Sequence, residues 1–288
     1  MLLSRRDFSR RDFGKLALSA TVFPLPAAMI NSKVSGVMLG AQTYSFRDRS
    51  LDDCIAAMKE IGLGYAEMWQ GHIEPKDKGE AKTWRENPPY DRLKAVRTKF
   101  NDAGIVLYAL SYGFRDDFSD TEIENGFKVA QALGVDKITS SANVDIGPRV
   151  DKYAQQYKIY VGFHNHDSMK PNEFSTPQNW EQVMKGRSKY MKINLDIGHF
   201  TAANFDPVQF LEQHHTDILT LHIKDRKKNH GPKVPMGEGD TPIKEVLRVL
   251  QTKHNQIPAM IEYEYGAPGL DTVTEVKKAF EYMKAALA

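Results

Sequence analysis

A (β/α)8 TIM barrel, an α/β fold, is predicted for this 288-residue chain by three observations. Strand-like and helix-like segments alternate from Val37 onward, and eight strand-like segments can be counted, the pattern of a parallel sheet joined by helices. Residues 32–288 come close to the roughly 250 residues typical of such a barrel. No glycine-rich phosphate turn follows the first strand-like segment, which sets the pattern apart from a doubly wound dinucleotide-binding sheet.

The first expected strand is GVMLGAQTYSF (36–46), and the helix-like SLDDCIAAMKEIG follows it, with Ser50 placed to cap the first free N–H groups. GYAEMW (64–69) is the second strand; DRLKAVRTKFNDAG is a helix closed by Gly104. The third strand, GIVLYALS (104–111), leads to SDTEIENGFKVAQALG, a helix closed by Gly134. DKITSSA (136–142) is the fourth strand, and a short helix is expected around 148–157. KIYVGFHNH (158–166), KINLDIG (192–198) and ILTLHIK (218–224) are strands five to seven. TPIKEVLRVLQTKH is a helix with Pro242 in its first turn, and PAMIEYEY (258–265) is the last strand.

Composition narrows the function. With 41% hydrophobic and 26% charged residues the chain is an ordinary globular one. Its 39 basic and 37 acidic residues leave a formal charge of +2, which offers no nucleic-acid footprint. A single cysteine, Cys54, excludes an intramolecular disulfide and any multi-cysteine zinc site.

The amino terminus reads as an export leader. Arg10, Arg11, Asp12, Phe13 and Lys15 resemble the twin-arginine pattern S-R-R-x-F-L-K, with Gly14 where leucine is usual, and a second SRRDF stands at 4–8. An apolar stretch of about fifteen residues from Leu16 to Ile30 follows, the length of a signal h-region and short for a membrane span. Residues 1–31 are therefore expected to be the leader and 32–288 the barrel, with the twin-arginine export machinery as a partner and a periplasmic or otherwise exported location. A retained leader would anchor the protein to the membrane.

Barrel chemistry collects at the carboxyl ends of strands, and polar residues stand there in this sequence. They are Glu67 on strand two, His164 and His166 on five, Asp196 on six, His222 and Lys224 on seven, and Glu262 and Glu264 on eight. Residues two apart share a strand face, so each of the three pairs could point inward, leaving Asn165 and Ile223 toward the helices. Carboxylates and imidazoles converging without a thiolate suit one divalent metal ion: Mn, Co, Zn, Fe or Mg. Such a cation would stabilise the enediolate left when a proton next to a carbonyl is removed. His199, three residues past Asp196, could bind substrate or orient a ligand.

Quieter explanations exist for each residue. Asp196 and His199 could cap the turn after their strand. His222 alone could be a satisfied core histidine. Glu67 could be an internal carboxylate held by neighbouring strands, and Glu264 a surface group. Tyr44, Phe46, Trp69, Tyr112, Phe114 and Phe200 could line a sugar pocket or pack the core. The glycines of GEGD at 237–240 could serve a tight loop alone. His72, His214, His215, His230 and His254 read as solvated.

LDIGHF, LHIKD, VPMGEGD (234–240) and IEYE occur in that order. In these motifs the chain resembles the xylose isomerase-like TIM barrels of the sugar phosphate isomerase/epimerase family, also called AP endonuclease family 2. The resemblance implies a metal held by a Glu on strand five, an Asp on six, a His or Gln on seven and a Glu on eight. Asp196, His222 and Glu262 match the last three. Strand five departs from that pattern: GFHNHD puts His164 where glutamate is common, so His164 is the expected fourth ligand. In family epimerases the strand-five and strand-eight glutamates exchange the protons; here Glu262 would work with His164 or His166, and His199 and Lys224 complete the catalytic candidates. The implied activity is isomerisation or epimerisation of a keto-sugar or polyol, with a dehydratase or 3-keto-glycoside lyase as the alternative and a silent carbohydrate-binding barrel as a third. The expected partner is a small carbohydrate, unphosphorylated if the protein is exported; a homo-oligomer is also open to such a barrel. An AP-endonuclease-type phosphodiesterase would need a three-metal cluster, and the first half of the chain has His72 as its only histidine.

Overall fold

The computed structural model of the protein describes residues 28–266 and 269–288. Eight parallel strands close into a barrel: β1 (Val37–Gln42), β2 (Tyr65–Trp69), β3 (Val106–Ser111), β4 (Lys137–Ser140), β5 (Tyr160–His164), β6 (Met191–Asp196), β7 (Ile218–Ile223) and β8 (Ala259–Ile261). Each pairs with the next, and β8 closes the ring on β1 through Ala259–Leu39, Met260–Gly40 and Ile261–Ala41. The (β/α)8 barrel expected from the alternation is the fold.

Ten helices surround the barrel among the described residues: α1 (Leu51–Ile61), α2 (Lys78–Glu86), α3 (Tyr90–Asp102), α4 (Asp120–Ala132), α5 (Gly147–Tyr157), α6 (Pro177–Met184), α7 (Ile197–Ala202), α8 (Pro207–His214), α9 (Ile243–Thr252) and α10 (Thr272–Leu287). The Ser50 hydroxyl accepts from the Asp53 N–H at the start of α1, as its position predicts. Ser119 and Glu122 form a full capping box on α4. Two local expectations are corrected. Pro242 occupies the N-cap of α9 rather than its first turn, and α5 is as long as α1, at eleven residues. None of these helices is long and apolar enough to cross a membrane.

Apolar side chains such as Leu39, Met68, Leu107, Phe163, Leu195, Leu221 and Ile261 fill the core between barrel and helices. The barrel also buries a polar layer near its mouth, formed by Gln42, Glu67, Thr139, Asn194, Thr220 and His222. Buried polar groups persist only when paired, and Glu67 Oε1 accepts from the Thr139 hydroxyl at 2.6 Å.

The proposed leader lies outside the described residues up to position 27. Residues 28–34 run beneath the strands, at the end opposite the mouth. The Ile30 N–H donates to the Gly104 carbonyl at 2.8 Å, and the buried Ser32 hydroxyl bridges Gly64 N and Leu39 O. A Cβ on Gly104 would lie 2.4 Å from the Ala28 carbonyl oxygen, and one on Gly64 2.1 Å from that of Ile30, so both glycines make room for this chain.

The loop after β7 is wrapped around one carboxylate. Asp225 Oδ2 accepts from the N–H groups of Gly237 and Gly239, each at 2.8 Å, and Oδ1 from Thr241 at 3.2 Å. Gly237 sits at φ 97°, and a Cβ on Gly239 would come within 1.9 Å of Asp225 Oδ1. The GEGD glycines are thus explained by loop geometry.

Candidate metal centre and active site

Four strand ends deliver the central cluster. Asp196 and His222 are register partners at the ends of β6 and β7, and His164 closes β5. Glu262 stands just past the three-residue β8, where its N–H donates to the Ile223 carbonyl. One donor atom from each of His164, Asp196, His222 and Glu262 lies within 4.8 Å of the other three, and all four residues are buried. Two imidazoles and two carboxylates around one point form a donor set suited to a divalent cation.

An unpartnered atom marks the same point. His164 Nε2 is buried without a hydrogen bond and faces Asp196 Oδ2 at 3.4 Å, an oxygen whose close charged partner is the Lys224 ammonium at 3.0 Å. Such orphans are rare in folded proteins and call for a ligand. The donor atoms therefore fit a bound metal.

Neighbouring side chains set the tautomers. His222 Nε2 lies 2.9 Å from Glu67 Oε1 and Nδ1 lies 3.1 Å from Glu262 Oε2; Glu67 holds the Nε2 proton, and a cation at the centre would take Nδ1 in place of its proton. His164 has Ser141 Oγ 3.4 Å from Nδ1, leaving Nε2 to the centre. Asn165 holds the backbone: its amide oxygen accepts from Asp196 N at 2.8 Å and its amide nitrogen donates to Asp196 O at 3.1 Å. The strand alternation that pointed Asn165 toward the helices fails because β5 ends at His164.

The charges favour a cation. Burial raises the Asp196 carboxyl, but the Lys224 ammonium overrides it and holds the group at about 2. Burial likewise works against the ionised Glu262, and Lys224 with His222 keeps it well below the ordinary range. Burial would lower His222, yet the charges of Glu67 and Glu262 push it well above the usual imidazole value. His166 is brought down to about 3 by burial and by His164, so it is neutral at working pH.

Around this centre stand the other candidates. The ring of His166 lies 4.9 Å from that of His164 and lines the cavity, but it belongs to the loop after β5 and is not one of the four clustered donors. His164 is thus the strand-five member of the cluster. Lys224 Nζ reaches Glu262 Oε2 at 2.6 Å and Asp196 Oδ2 at 3.0 Å, and it also pairs with Glu264. Glu264 takes a second ammonium, Lys233, at 3.0 Å, and stays outside the four-donor cluster. His199 donates its backbone N–H to Asp196 Oδ1 at 2.6 Å, and its ring Nδ1 meets Arg226 and Asp167 at 2.6 and 3.1 Å. Burying Glu67 beneath His222 makes it a support for the imidazole.

Sequence reading missed Asp167, Arg226, Lys233, Ser141, Asn165 and Asn194. Asn194 carried a signal, a polar residue inside the apolar run KINLDIG; Asp167 and Arg226 directly follow the HNH and HIKD motifs. Lys233 had none, since only the folded loop brings it to Glu264. His72, read as solvated, is half-buried, with Nε2 3.1 Å from the Thr43 carbonyl and its ring against Trp69. Of the six aromatics, Phe46, Tyr112, Phe114 and Phe200 are core, whereas Tyr44 and Trp69 line a cavity of about 1060 Å³ that opens over the centre.

A closed parallel barrel with carboxylates and imidazoles gathered at the carboxyl ends of its strands defines the class of this protein by fold and site. Residues 55–286 match the family described as Xylose isomerase-like TIM barrel, and the chain belongs to that family. Among solved structures, a sugar phosphate isomerase/epimerase from Parabacteroides distasonis is 18% identical, with TM-score 0.64, over 89% of this chain and 98% of that one. The probable 3-DHS dehydratase AsbF from Bacillus anthracis is 20% identical, with TM-score 0.62, over 87% and 97%. The IOLI protein with a binding zinc atom is 15% identical, with TM-score 0.65, over 87% and 98%. At these identities the likeness shows the fold. A search of curated proteins finds no match.

Proposed function

We propose that the protein is a divalent-metal-dependent isomerase or epimerase of a keto-sugar or polyol, removing a proton next to a carbonyl. The observation that carries this reading is the convergence of four donors from β5 to β8 within 4.8 Å, with His164 Nε2 buried without a hydrogen bond. His164, Asp196, His222 and Glu262 would hold the cation. When bound, it would polarise the carbonyl and adjacent hydroxyl of the sugar, easing loss of the proton between them. Glu262, ionised and at the cavity wall, takes that proton. His166, neutral and with no ring hydrogen bond to the described residues, lines the same cavity and is the second proton-exchange group of this reading. Lys224 donates to a developing oxyanion, and His199, locked by Asp167 and Arg226, orients a hydroxyl.

Loss of a leaving group from the carbon beyond the enediolate would use the same proton abstraction. That second reading, a dehydratase or lyase, is favoured by the similarity to a probable dehydratase. The twin-arginine-like leader, whose arginines are Arg10 and Arg11, supports work outside the cytoplasm on an unphosphorylated sugar.

Elemental analysis of the purified protein, followed by proton exchange of ketoses in deuterated water, tests the reading. About one equivalent of metal and exchange into the carbon next to the carbonyl are expected. Glu262→Gln should cut turnover by about 10²-fold or more with the fold intact. Asp196→Asn should lower bound metal. Wild-type turnover in the Glu262 variant would defeat the assignment.

A further inference from the structure

The metal-capable donors occupy only the β5 to β8 half of the mouth. The cavity continues across the ends of β1 to β4, where Tyr44, Trp69, Gln70, Ser111 and Asn143 line it. Its volume of about 1060 Å³ stands at the top of the roughly 300–1,000 Å³ range that suits drug-sized ligands, well beyond what one sugar ring fills.

The far half carries a prebuilt aromatic corner. Tyr44 and Trp69 meet edge to face with ring centroids 5.1 Å apart, and both are half-buried. The Trp69 N–H donates to Thr43 Oγ1 at 2.8 Å, which ties the end of β2 to the turn after β1. A Cβ on Gly71 would lie 2.3 Å from the indole, so the backbone packs directly against that ring and fixes its plane. The guanidinium of Arg47 lies 4.9 Å from the Tyr44 ring centroid. An apolar ring face beside amide and hydroxyl groups is the surface a sugar ring presents a match to, with its C–H face on the aromatic and its hydroxyls on the polar groups.

Charge speaks to the class of ligand. The cavity lining holds four cationic side chains (Arg47, Lys76, Arg115 and Lys233) and five carboxylates (Glu74, Asp167, Glu173, Glu262 and Glu264). The cations Arg47, Lys76 and Arg115 stand with Glu74 on the side of the aromatic corner, so an extension there meets polar and cationic groups beside the rings.

We propose that the Tyr44–Trp69 corner is a second sugar subsite, and that the substrate is a glycoside of two linked rings, one ring at the four-donor centre and the other on the indole. The proposal rests on the functional reading above and deepens it by naming the substrate class. It also accounts for an aromatic pair that packs no core.

Calorimetric titration of the full chain loaded with Mn²⁺ tests it, using cellobiose, maltose, sucrose and trehalose against glucose and fructose. At least one disaccharide is expected to bind about tenfold tighter than either of its constituent sugars. Trp69→Ala should reduce that preference about three- to tenfold, the range of one aromatic contact, and Trp69→Phe should retain most of it. Tyr44→Ala, expected to weaken the preference in the same direction, serves where the Trp69 variant melts early by circular dichroism. No disaccharide preferred over its constituents, or a preference untouched in every folded variant, would overturn the subsite. Proton exchange of ketoses in deuterated water separates the two ideas. Exchange without a disaccharide preference removes the subsite alone, and absence of both exchange and any sugar binding removes the functional reading with it.

Discussion

Glu67 shows how one side chain can govern a centre to which it contributes no ligand atom. Its Oε1 accepts a hydrogen bond from His222 Nε2–H, and in doing so leaves Nδ1 to face the three other donors. Carboxylates in this position raise the basicity of a ligating imidazole and fix its plane. Glu67→Gln can turn its amide nitrogen toward Nε2 and so favour the wrong tautomer. It should weaken metal binding by about 10- to 100-fold, measured by competition with a chelator, while the melting curve stays cooperative. At this scale the sequence set His164, Asp196, His199, His222, Lys224 and Glu262 at strand tips, and the structure brings them to one mouth. The preference for His164 over His166 and for Glu262 over Glu264 came from the family-like motifs, because spacing alone could not rank them. Two-residue spacing puts both members of a pair on one face, and only the strand's actual end decides which one reaches the centre.

Elements position this chemistry through their ends. The wall of the cavity beside α2 is held by a chain of contacts: the Gly113 N–H donates to Gln70, Gln70 donates to Glu74, and Arg85 joins Glu74 to Glu122 in the capping box of α4. Burial opposes ionisation of Glu122, and the Ser119 N–H and the Arg85 guanidinium together hold its carboxyl below the ordinary value. A carboxyl depressed in the folded state stabilises above its unfolded pKa, and that contribution fades as pH falls through the folded one. Glu122→Gln should therefore cost about 1–2 kcal/mol at pH 7 in urea unfolding, and the gap to wild type should narrow below about pH 4.3. Ser50, Ser119 and the closing glycines were legible because capping is local chemistry. The length of α5 and the early end of β8 were less so, since both depend on what packs above them.

On the scale of the whole molecule, the chain beneath the barrel belongs to the fold. Ile30 is partly buried and hydrogen-bonded to Gly104, which places part of the expected leader's last residues against the barrel floor. A chain starting at residue 28 should melt about 3 °C higher than one starting at 32, because the second loses the Ile30 contacts. Equal midpoints by calorimetry would show that those contacts contribute nothing. The sequence by itself determined the eight strands, five of the helices around them (α1, α3, α4, α5 and α9) and the acid and imidazole residues at the strand tips, because hydrophobic period and capping are written in neighbouring residues. Which tips meet was decided only by closure of the barrel. Glu67 and His222 are 155 residues apart along the chain, and their hydrogen bond exists because β2 and β7 face each other across the barrel interior. Periodicity tells which face of a strand a side chain occupies; the stagger between strands, a property of the closed sheet, sets the level at which it meets its partners.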